Sequence, residues 1–193
     1  DPLTLVASEQ TLQQKILSAV ATLCQNGYLS VAEYLINSLD ERGFIDVDLD
    51  DVAARFGRPR EYVDRVIGYI QSVAPIGVGA RDLRECLLIQ LRYLKDIGVE
   101  VPPYVEPILR DYLEQFGAHK FGFIAKELGI TNEQVEEARD FIRAHLNPYP
   151  LQSQEARYWK TPLRSPYVAP DVVVSLRDGE LAVEVVDTRH FHL

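Results

Sequence analysis

The strongest constraint on the fold is a helical repeat of apolar residues that continues to about residue 146. Apolar side chains recur three and four positions apart, with turn residues between the segments, and this spacing predicts amphipathic helices. The sequence Asn147-Pro148-Tyr149-Pro150 ends the pattern, because proline cannot continue a helix. The predicted helices lie near residues 8–25, 31–42, 49–56, 60–73, 80–97, 103–116, 121–128 and 132–146.

Several of the predicted helix ends carry capping residues. Ser30 with Glu33, and Thr131 with Gln134, have the spacing of a capping box, in which a side-chain oxygen accepts from a free backbone N–H and the later side chain bonds back. Glycine favours a helix end because it adopts the left-handed conformation without strain. Glycines fall at predicted helix ends at Gly27, Gly43, Gly57, Gly98, Gly117 and Gly129.

The chain changes character after residue 147. The stretch up to Pro170 is rich in proline and poor in periodic apolar residues, which predicts a linker or an extended strap. Residues 172–176 and 181–185 flank the turn pair Asp178-Gly179, a pattern typical of a β-hairpin. The predicted fold class is mainly α: two small helical bundles, the second helix-turn-helix-like, followed by the strap and the hairpin. The predicted domain ranges are 1–98, 99–147 and 148–193.

A duplicated helix-turn-helix pattern is visible when the chain is compared with itself at an offset of 72 residues. Each copy has a small residue in its first helix, a glycine four positions later and apolar anchors in its second helix. Tri-helical units of this kind also occur in proteins that never touch DNA. The matched pairs are Ala53 with Ala125, Gly57 with Gly129, Val63 with Val135, Val66 with Ala138, and Tyr69-Ile70 with Phe141-Ile142.

The charge of the chain argues against direct DNA reading. The net charge is −9, and affinity for phosphates comes mainly from Lys and Arg. The second helix of the second copy exposes more carboxylates than cations, which suits a basic protein surface better than a major groove. Its carboxylates are Glu133, Glu136, Glu137 and Asp140, against Arg139 and Arg143. The first copy is more balanced and stays a weak DNA candidate, so a helix-turn-helix DNA-binding regulator is the alternative interpretation.

One locally basic and aromatic patch lies in the predicted strap. Aromatic rings next to cations can stack on bases and neutralise phosphate, which makes this patch the best nucleic-acid candidate in the chain. The competing interpretation is that its aromatic rings pack the strap onto the helices. The patch consists of Arg157, Tyr158, Trp159, Lys160 and Arg164, with Tyr167 beyond it.

Other functional classes find little support in the sequence. No apolar run is long enough to cross a bilayer, and no targeting segment is recognisable, so we expect a cytoplasmic protein without a membrane partner. Cys24 and Cys86 lie far apart in helical segments and are expected to be reduced thiols. His190 and His192 with Asp187 could be drawn as a metal cluster, but solvated tail residues are the expected explanation. No metal, cofactor or enzymatic activity is predicted.

A glycine-containing loop precedes the predicted helix at residues 80–97. Gly77 and Gly79 resemble part of a nucleotide-binding loop, but no third glycine, preceding strand or Lys-Ser/Thr pair completes that motif. A tight turn that starts a helix is the expected structure, with Asp82 favourable near the positive helix end. An enzyme that uses this loop for a nucleotide is the second alternative.

The same region resembles the signature of a known family. The string PIGVGARDLRECLLIQL (75–91) is similar to the core-binding domain of sigma-54 (RpoN-type) factors of bacterial RNA polymerase. Four further strings match in the family's order: AEYLINSLDERGFI (32–45), AKELGIT (125–131), FIRAHLNPYP (141–150) and YVAPDVVV (167–174). The resemblance covers about residues 8–187, although Leu151 stands where the family usually has glycine.

The resemblance implies a module that docks on core RNA polymerase during transcription initiation. The intact factor would place polymerase at promoters of the −24/−12 class and would depend on an AAA+ activator, whereas this chain would supply the docking. Because the chain begins Asp1-Pro2 and contains no Met, we expect it to be part of a longer protein. The candidate polymerase contacts are Gly77, Gly79, Arg81, Asp82, Arg84 and Glu85 at the loop, and Glu133, Glu136, Glu137 and Asp140 on the acidic helix.

Overall fold

The computed structural model describes residues 11–23 and 26–152, together with two short strands at 172–177 and 180–185. The predicted mainly helical class is confirmed. The helices are α1 (Leu12–Leu23), α2 (Leu29–Asn37), α3 (Leu49–Phe56), α4 (Arg60–Val73), α5 (Leu83–Asp96), α6 (Val105–Asp111), α7 (Leu113–Gly117), α8 (Phe121–Leu128) and α9 (Asn132–His145). Short 3-10 turns occupy Asn26–Tyr28 and Pro150–Gln152.

The first helices pack around α4. This helix contacts α1, α2 and α3 and turns its apolar stripe towards them. Its stripe residues Val63, Val66, Ile67 and Ile70 are buried. The facing residues are also buried: Ile16 and Val20 in α1, Val31, Ala32, Leu35 and Ile36 in α2, and Val52 and Ala53 in α3.

A second core is built from α6, α8 and α9 together with the middle of α5. Leu87 and Leu91 bring α5 into this core, and Leu146 closes it at the end of α9. The other buried members are Val105, Ile108, Leu109, Ile124, Ala125, Val135 and Ala138. A small neighbouring cluster of Phe44, Ala80 and Cys86 lies at the start of α5, so this helix also contacts Phe44 in the loop after α2.

The two copies of the predicted helix-turn-helix have the same local geometry. Gly57 ends α3 with φ 59° and ψ 38°, and Gly129 ends α8 with φ 66° and ψ 32°. Both glycines are left-handed C-caps, which is why this position suits glycine in each copy. The residue after each glycine donates its backbone N–H back into the preceding helix, with Arg58 N 2.9 Å from Ala53 O and Ile130 N 3.0 Å from Ala125 O.

Some predicted helix ends were wrong. The predicted capping box at Ser30 does not form, because α2 begins at Leu29 with Tyr28 as an N-cap that makes no side-chain hydrogen bond. That helix also ends at Asn37 and not at residue 42, since the Asp40 carboxylate accepts from the backbone N–H of Arg42 and of Phe44 and turns the chain. The capping box of Thr131 and Gln134 is confirmed.

The predicted helix at 103–116 is two helices. Tyr112 (φ −126°, ψ 19°) breaks the helix between α6 and α7. The glycine signal at Gly117 was also wrong about the left-handed residue, because His119, with φ 57°, takes that conformation two positions later. The predicted helix at 80–97 begins later, at Leu83, because the Asp82 side chain caps it.

The strands belong to a second compact unit, Tyr158–Leu193, and the helices to the first, Asp1–Arg157. Val172–Arg177 (β1) pairs antiparallel with Glu180–Val185 (β2), with Val172 opposite Val185 and Arg177 opposite Glu180. The turn pair Asp178-Gly179 and the strap from residue 153 to residue 171 lie outside the described residues. Among the described helices, none combines the length and apolar character needed to cross a bilayer.

A side-chain amide joins the end of α9 to α5. Gln90 is only 8% exposed, and its Nε2 donates to Asn147 O at 2.7 Å while its Oε1 accepts from Asn147 N at 2.7 Å. This two-way bond satisfies both backbone groups of Asn147, which Pro148 follows directly. An amide side chain is suited to this role because it supplies one donor and one acceptor in a fixed geometry.

Replacing Gln90 with leucine should therefore destabilise the protein. The variant loses two buried hydrogen bonds and leaves both Asn147 backbone groups without this partner, so we expect the free energy of unfolding to fall by about 2–4 kcal/mol. Urea denaturation followed by circular dichroism measures the change. Gln13→Leu, at an exposed site on α1, is the control and should stay within about 0.5 kcal/mol of wild type. Equal stability of the two variants would contradict this role of Gln90.

Candidate functional site

The glycine loop before α5 is a tightly packed turn. Gly77 has φ +93° and Gly79 has φ +79°, a region that side chains rarely adopt. A Cβ at Gly77 would lie 2.8 Å from Cys86 Sγ and 2.8 Å from Gln90 Nε2, and one at Gly79 would lie 3.1 Å from Ile70 Cγ2. Glycine is therefore required at Gly77 both by backbone conformation and by lack of space.

The backbone of this loop is paired with the loop that follows α2. Gly79 N donates to Gly43 O at 2.8 Å, and Ile45 N donates to Ala80 O at 2.9 Å. Val78 N is used within the turn, because it donates to Pro75 O at 2.9 Å. The N–H groups of Val78 and Gly79 are thus bound to carbonyl groups, whereas a phosphate loop would direct such groups at its ligand.

Arg81 and Glu85 form a two-point ion pair across the first turn of α5. Arg81 Nε lies 2.9 Å from Glu85 Oε2, and Nη2 lies 3.0 Å from Oε1. The Arg81 backbone N–H also donates to Glu85 Oε2, at 2.6 Å. Gln71 Nε2 donates to Glu85 Oε1 at 3.1 Å and to Gly79 O at 2.9 Å, so one amide ties α4 to both the loop and the ion pair.

These contacts set the charge state of Glu85. Burial by itself would raise the pKa of this carboxyl, but hydrogen bonds from the Arg81 side chain and backbone and from Gln71 outweigh it, and the pKa lies below its ordinary value of 4.5. Glu85 is therefore a carboxylate at neutral pH. Its charge is matched by Arg81, which also lies 3.5 Å from Asp64 Oδ1.

Asp82 and Arg84 are held by the helix ends near them. The Asp82 side chain caps α5 by accepting from Glu85 N at 2.8 Å. The Arg84 guanidinium reaches α6, where Nη1 donates to Arg110 O at 2.6 Å. The six predicted contact residues at this loop are thus brought together, but they mostly bind one another and the neighbouring loops and helices.

The four predicted acidic residues of α9 are all exposed. Tyr104 Oη donates a hydrogen bond to Glu137, which raises the pKa of Tyr104 to about 12. Asp140 is 2.9 Å from Arg139 Nη2. The pKa of Glu133 is lowered by hydrogen bonds from its own backbone N–H and from the Thr131 side chain. Glu136 has no hydrogen-bond or ion-pair partner among the described residues, so its charge is free to meet another molecule.

The predicted nucleic-acid patch, Arg157 to Arg164, lies outside the described residues, as does the histidine tail. Within the described residues no three His, Cys, Asp or Glu side chains are grouped closely enough to hold a metal ion. Cys86 is a free, buried thiol whose pKa is raised to about 11, chiefly by burial. At neutral pH it is protonated and unsuited to nucleophilic chemistry.

Sequence reasoning missed two residues of this region. Gln71 and Gln90 hold the loop and the end of α9, although nothing in their local sequence marks them. Each lies on the buried or half-buried face of its helix, where glutamine is unusual, and that position was the available signal.

A comparison with protein families shows to which family the chain belongs. The profile described as "Sigma-54 factor, core binding domain" matches residues 2–193. The chain belongs to this family.

Relatives of this core-binding domain are similar along most of its length. The RNA polymerase sigma-54 factor of Bacillus subtilis (strain 168) is 28% identical over 183 residues, which cover 95% of this chain and 39% of the relative. That of Escherichia coli (strain K12) is 30% identical over 183 residues, with 91% and 36% covered. That of Sinorhizobium fredii (strain NBRC 101917 / NGR234) is 33% identical over 182 residues, with 93% and 33% covered. The domain thus spans between a third and two fifths of these relatives.

The loop at residues 75–80, which precedes α5, is called the signature loop below. Substitution of Gly77 tests whether this loop is tightly packed. In Gly77→Ala the new methyl group meets Cys86 and Gln90 and the backbone is strained, so we expect the free energy of unfolding to fall by about 2–4 kcal/mol. The control is Gly68→Ala, inside α4, where a Cβ has nothing within 4 Å. This variant should gain about 0.5–1 kcal/mol, because alanine is the better helix former. Thermal and urea unfolding measure both changes, and a stable Gly77→Ala protein would contradict the packing.

The ion pair of Glu85 predicts a dependence of stability on pH. A carboxyl whose folded pKa is lowered stabilises the fold above its unfolded value, and this stabilisation is lost as pH falls through the folded value. At pH 7 we expect Glu85→Gln to be about 1–2 kcal/mol less stable than wild type. The difference should shrink as pH falls below the ordinary value of 4.5.

Urea midpoints measured between pH 7 and pH 3 provide the test. Glu61→Gln, on the exposed face of α4 and without an ion pair to any described residue, is the control and should show no comparable dependence on pH. If the Glu85→Gln difference were the same at every pH, the ion pair would not be its cause.

Proposed function

We propose that this domain binds core RNA polymerase as the docking module of a sigma-54-type initiation factor. The observation that carries the proposal is the family match along residues 2–193. Curated relatives that share this region are named RNA polymerase sigma-54 factors. The other steps, namely placement at −24/−12 promoters and response to an AAA+ activator, belong in this proposal to the intact factor.

The docking surface in this proposal includes the exposed face of α9. Glu133, Glu136, Glu137 and Asp140 give that face four carboxylates, and the chain as a whole carries a net charge of −9. Carboxylates arranged on one helix face complement a basic protein surface and repel phosphates. This charge pattern favours polymerase docking over the alternative of a DNA-reading helix-turn-helix regulator.

The residues of the signature loop are proposed to have a mainly structural role, in contrast to the docking face of α9. Gly77, Gly79, Asp82 and Glu85 fix the shape of the loop and the start of α5, while Arg81 and Arg84 are partly exposed at its edge. We propose that the loop positions the docking surfaces and that contact with polymerase at this end of α5 is made through the two arginines.

The proposal also covers how the chain is divided into units and where it contacts nucleic acid. We propose that residues 1–98 and 99–147 act as two helical units and that 148–193 forms a strap and hairpin. Residues Arg157, Tyr158, Trp159, Lys160 and Arg164 remain the proposed contact with nucleic acid. No catalytic role is proposed.

A charge reversal on α9 tests the proposed docking face. Glu136→Lys should lower affinity for core polymerase about tenfold, equal to about 1.4 kcal/mol, because it places a cation against a basic surface. The control is Glu61→Lys, at an exposed position in the second helix of the first copy, and its affinity should stay within about twofold. Fluorescence anisotropy of the labelled chain with purified core polymerase measures both.

Two results would contradict this proposal. Equal affinities of wild type and Glu136→Lys would remove α9 from the docking surface. Tight, salt-steep binding of the wild-type chain to a labelled promoter duplex, together with no co-elution with core polymerase on a sizing column, would favour the DNA-binding regulator instead.

A further inference from the structure

A cleft runs along the outer face of α5, between that helix and α6 at one end and α4 at the other. It consists of two hollows of about 340 Å³ and 620 Å³, which share Leu88 and Arg92 in their walls. The floor of the smaller hollow is apolar, because Leu91 is buried in the core beneath it and Leu88 is half-buried beside it.

The walls of this cleft are basic, in contrast to the rest of the chain. They contain five cations and three carboxylates, a local charge of +2 in a chain of net charge −9. The cations are Arg81, Arg84, Arg92, Lys95 and Arg110, and the carboxylates are Asp82, Glu85 and Glu106.

All three carboxylates already have partners within the domain. Asp82 caps α5 and Glu85 is bound by Arg81 and Gln71. Glu106 forms an ion pair with Lys95, which lowers its pKa below the ordinary value, and lies 3.9 Å from Arg110. Two of the three negative charges are thus matched by cations, and the third caps a helix.

Two of the cations remain available to a partner. Arg92 is exposed and forms no hydrogen bond or ion pair with any described residue, although its charge helps to lower the pKa of Glu106. Arg84 donates to the carbonyl of Arg110 at 2.6 Å, near the end of α6, which fixes its guanidinium across the cleft without neutralising its charge. Backbone carbonyls at a helix C-terminus favour a cation in this way.

The spacing of these side chains defines what would fit. Arg84, Leu88 and Arg92 are four residues apart, so they follow one ridge of α5, with the arginines about 12 Å apart along the helix. A complementary segment would carry carboxylates about two helical turns apart, with an apolar side chain between them to cover Leu88.

We propose that this cleft docks an acidic helical segment of core RNA polymerase, with Arg84 and Arg92 binding its carboxylates and Leu88 its central apolar residue. The inference deepens the proposed function and rests on it. It gives the domain a basic contact surface along α5, in addition to the acidic contact surface on α9. Contact surfaces of opposite charge fix the orientation of the domain on its partner, because each repels the other's binding region.

A nucleic-acid strand is the less suitable occupant. A phosphate backbone would leave the apolar ridge at Leu88 without a matching group. The net charge of −9 also opposes approach of a polyanion. A protein segment with two carboxylates around an apolar side chain carries less negative charge than a phosphate strand, meets the same cations and also covers Leu88.

Reversal of the charge at Arg92 tests the proposal. The wild-type chain, Arg92→Glu, Arg92→Lys and Arg65→Glu are titrated with purified core polymerase and, separately, with a labelled single strand and a labelled duplex of DNA. Arg65 is the matched control, because it is an exposed arginine in the middle of α4 with no partner among the described residues. Circular dichroism melting confirms that all four proteins are folded.

We expect Arg92→Glu to lower affinity for polymerase at least about tenfold, while Arg92→Lys stays within about threefold and Arg65→Glu within about twofold of wild type. With p-benzoylphenylalanine in place of Asp96, one turn beyond Arg92 on the same ridge, the photocrosslinked polymerase peptide should contain two or more Asp or Glu residues around an apolar residue.

The outcomes separate this inference from the proposed function. If wild type does not bind polymerase, the proposed function itself fails. If wild type binds and Arg92→Glu binds equally well, the docking function stands and the cleft is not part of it. If Arg92→Glu changes only the affinity for DNA, the cleft is a phosphate site and the inference is overturned.

Discussion

The close approach of the backbone at Gly77 to Cys86 and Gln90 is the contact on which the rest of the helical region depends. It lets the loop before α5 lie flat against the helix that it begins, and a Cβ added at Gly77 would lie only 2.8 Å from the Gln90 amide nitrogen. Gln90 in turn binds both backbone groups of Asn147, fifty-seven residues further along the chain. One tight contact therefore connects the loop, α5 and the end of α9.

This arrangement explains why the loop before α5 has little free surface. The loop N–H groups of Val78 and Gly79 and the side chain of Glu85 are bound internally, and their physical role is to fix where α5 starts. The surfaces that expose charged side chains to a partner lie elsewhere, on the exposed face of α9 and along the outer ridge of α5. In the proposed function, the signature loop sets the relative placement of side chains that make the contacts.

Local patterns in the sequence predicted local structure well. The bounds of α3, α4 and α8 were predicted without error, because a periodic apolar stripe in each helix is bordered by a clear start or a glycine cap. The acidic face of α9 was predicted for the same reason. The end of α2 was predicted wrongly, because hydrogen bonds to the Asp40 side chain turn the chain after Asn37. The break between α6 and α7 was missed, because no glycine or proline marks Tyr112.

Features that depend on contacts between residues far apart in the chain could not be predicted from the sequence. The pairing of Gln90 with Asn147 joins two segments that no periodicity relates, and the cleft exists only because α6 packs beside α5. Charge counting found the acidic surplus of the whole chain, but the local charge of +2 is visible only once the structure shows which residues line the cleft. Predicting such a site requires knowing which charges are already bound.

Hydrogen exchange of the chain, free and in complex with core RNA polymerase, tests the account most directly. The account predicts that the amides of Val78 and Gly79 are already protected in the free chain and change little. New protection should be concentrated on α9 and on the α5–α6 region. New protection confined to the signature loop, with α9 and α5 unchanged, would contradict it, as would the absence of any complex with polymerase.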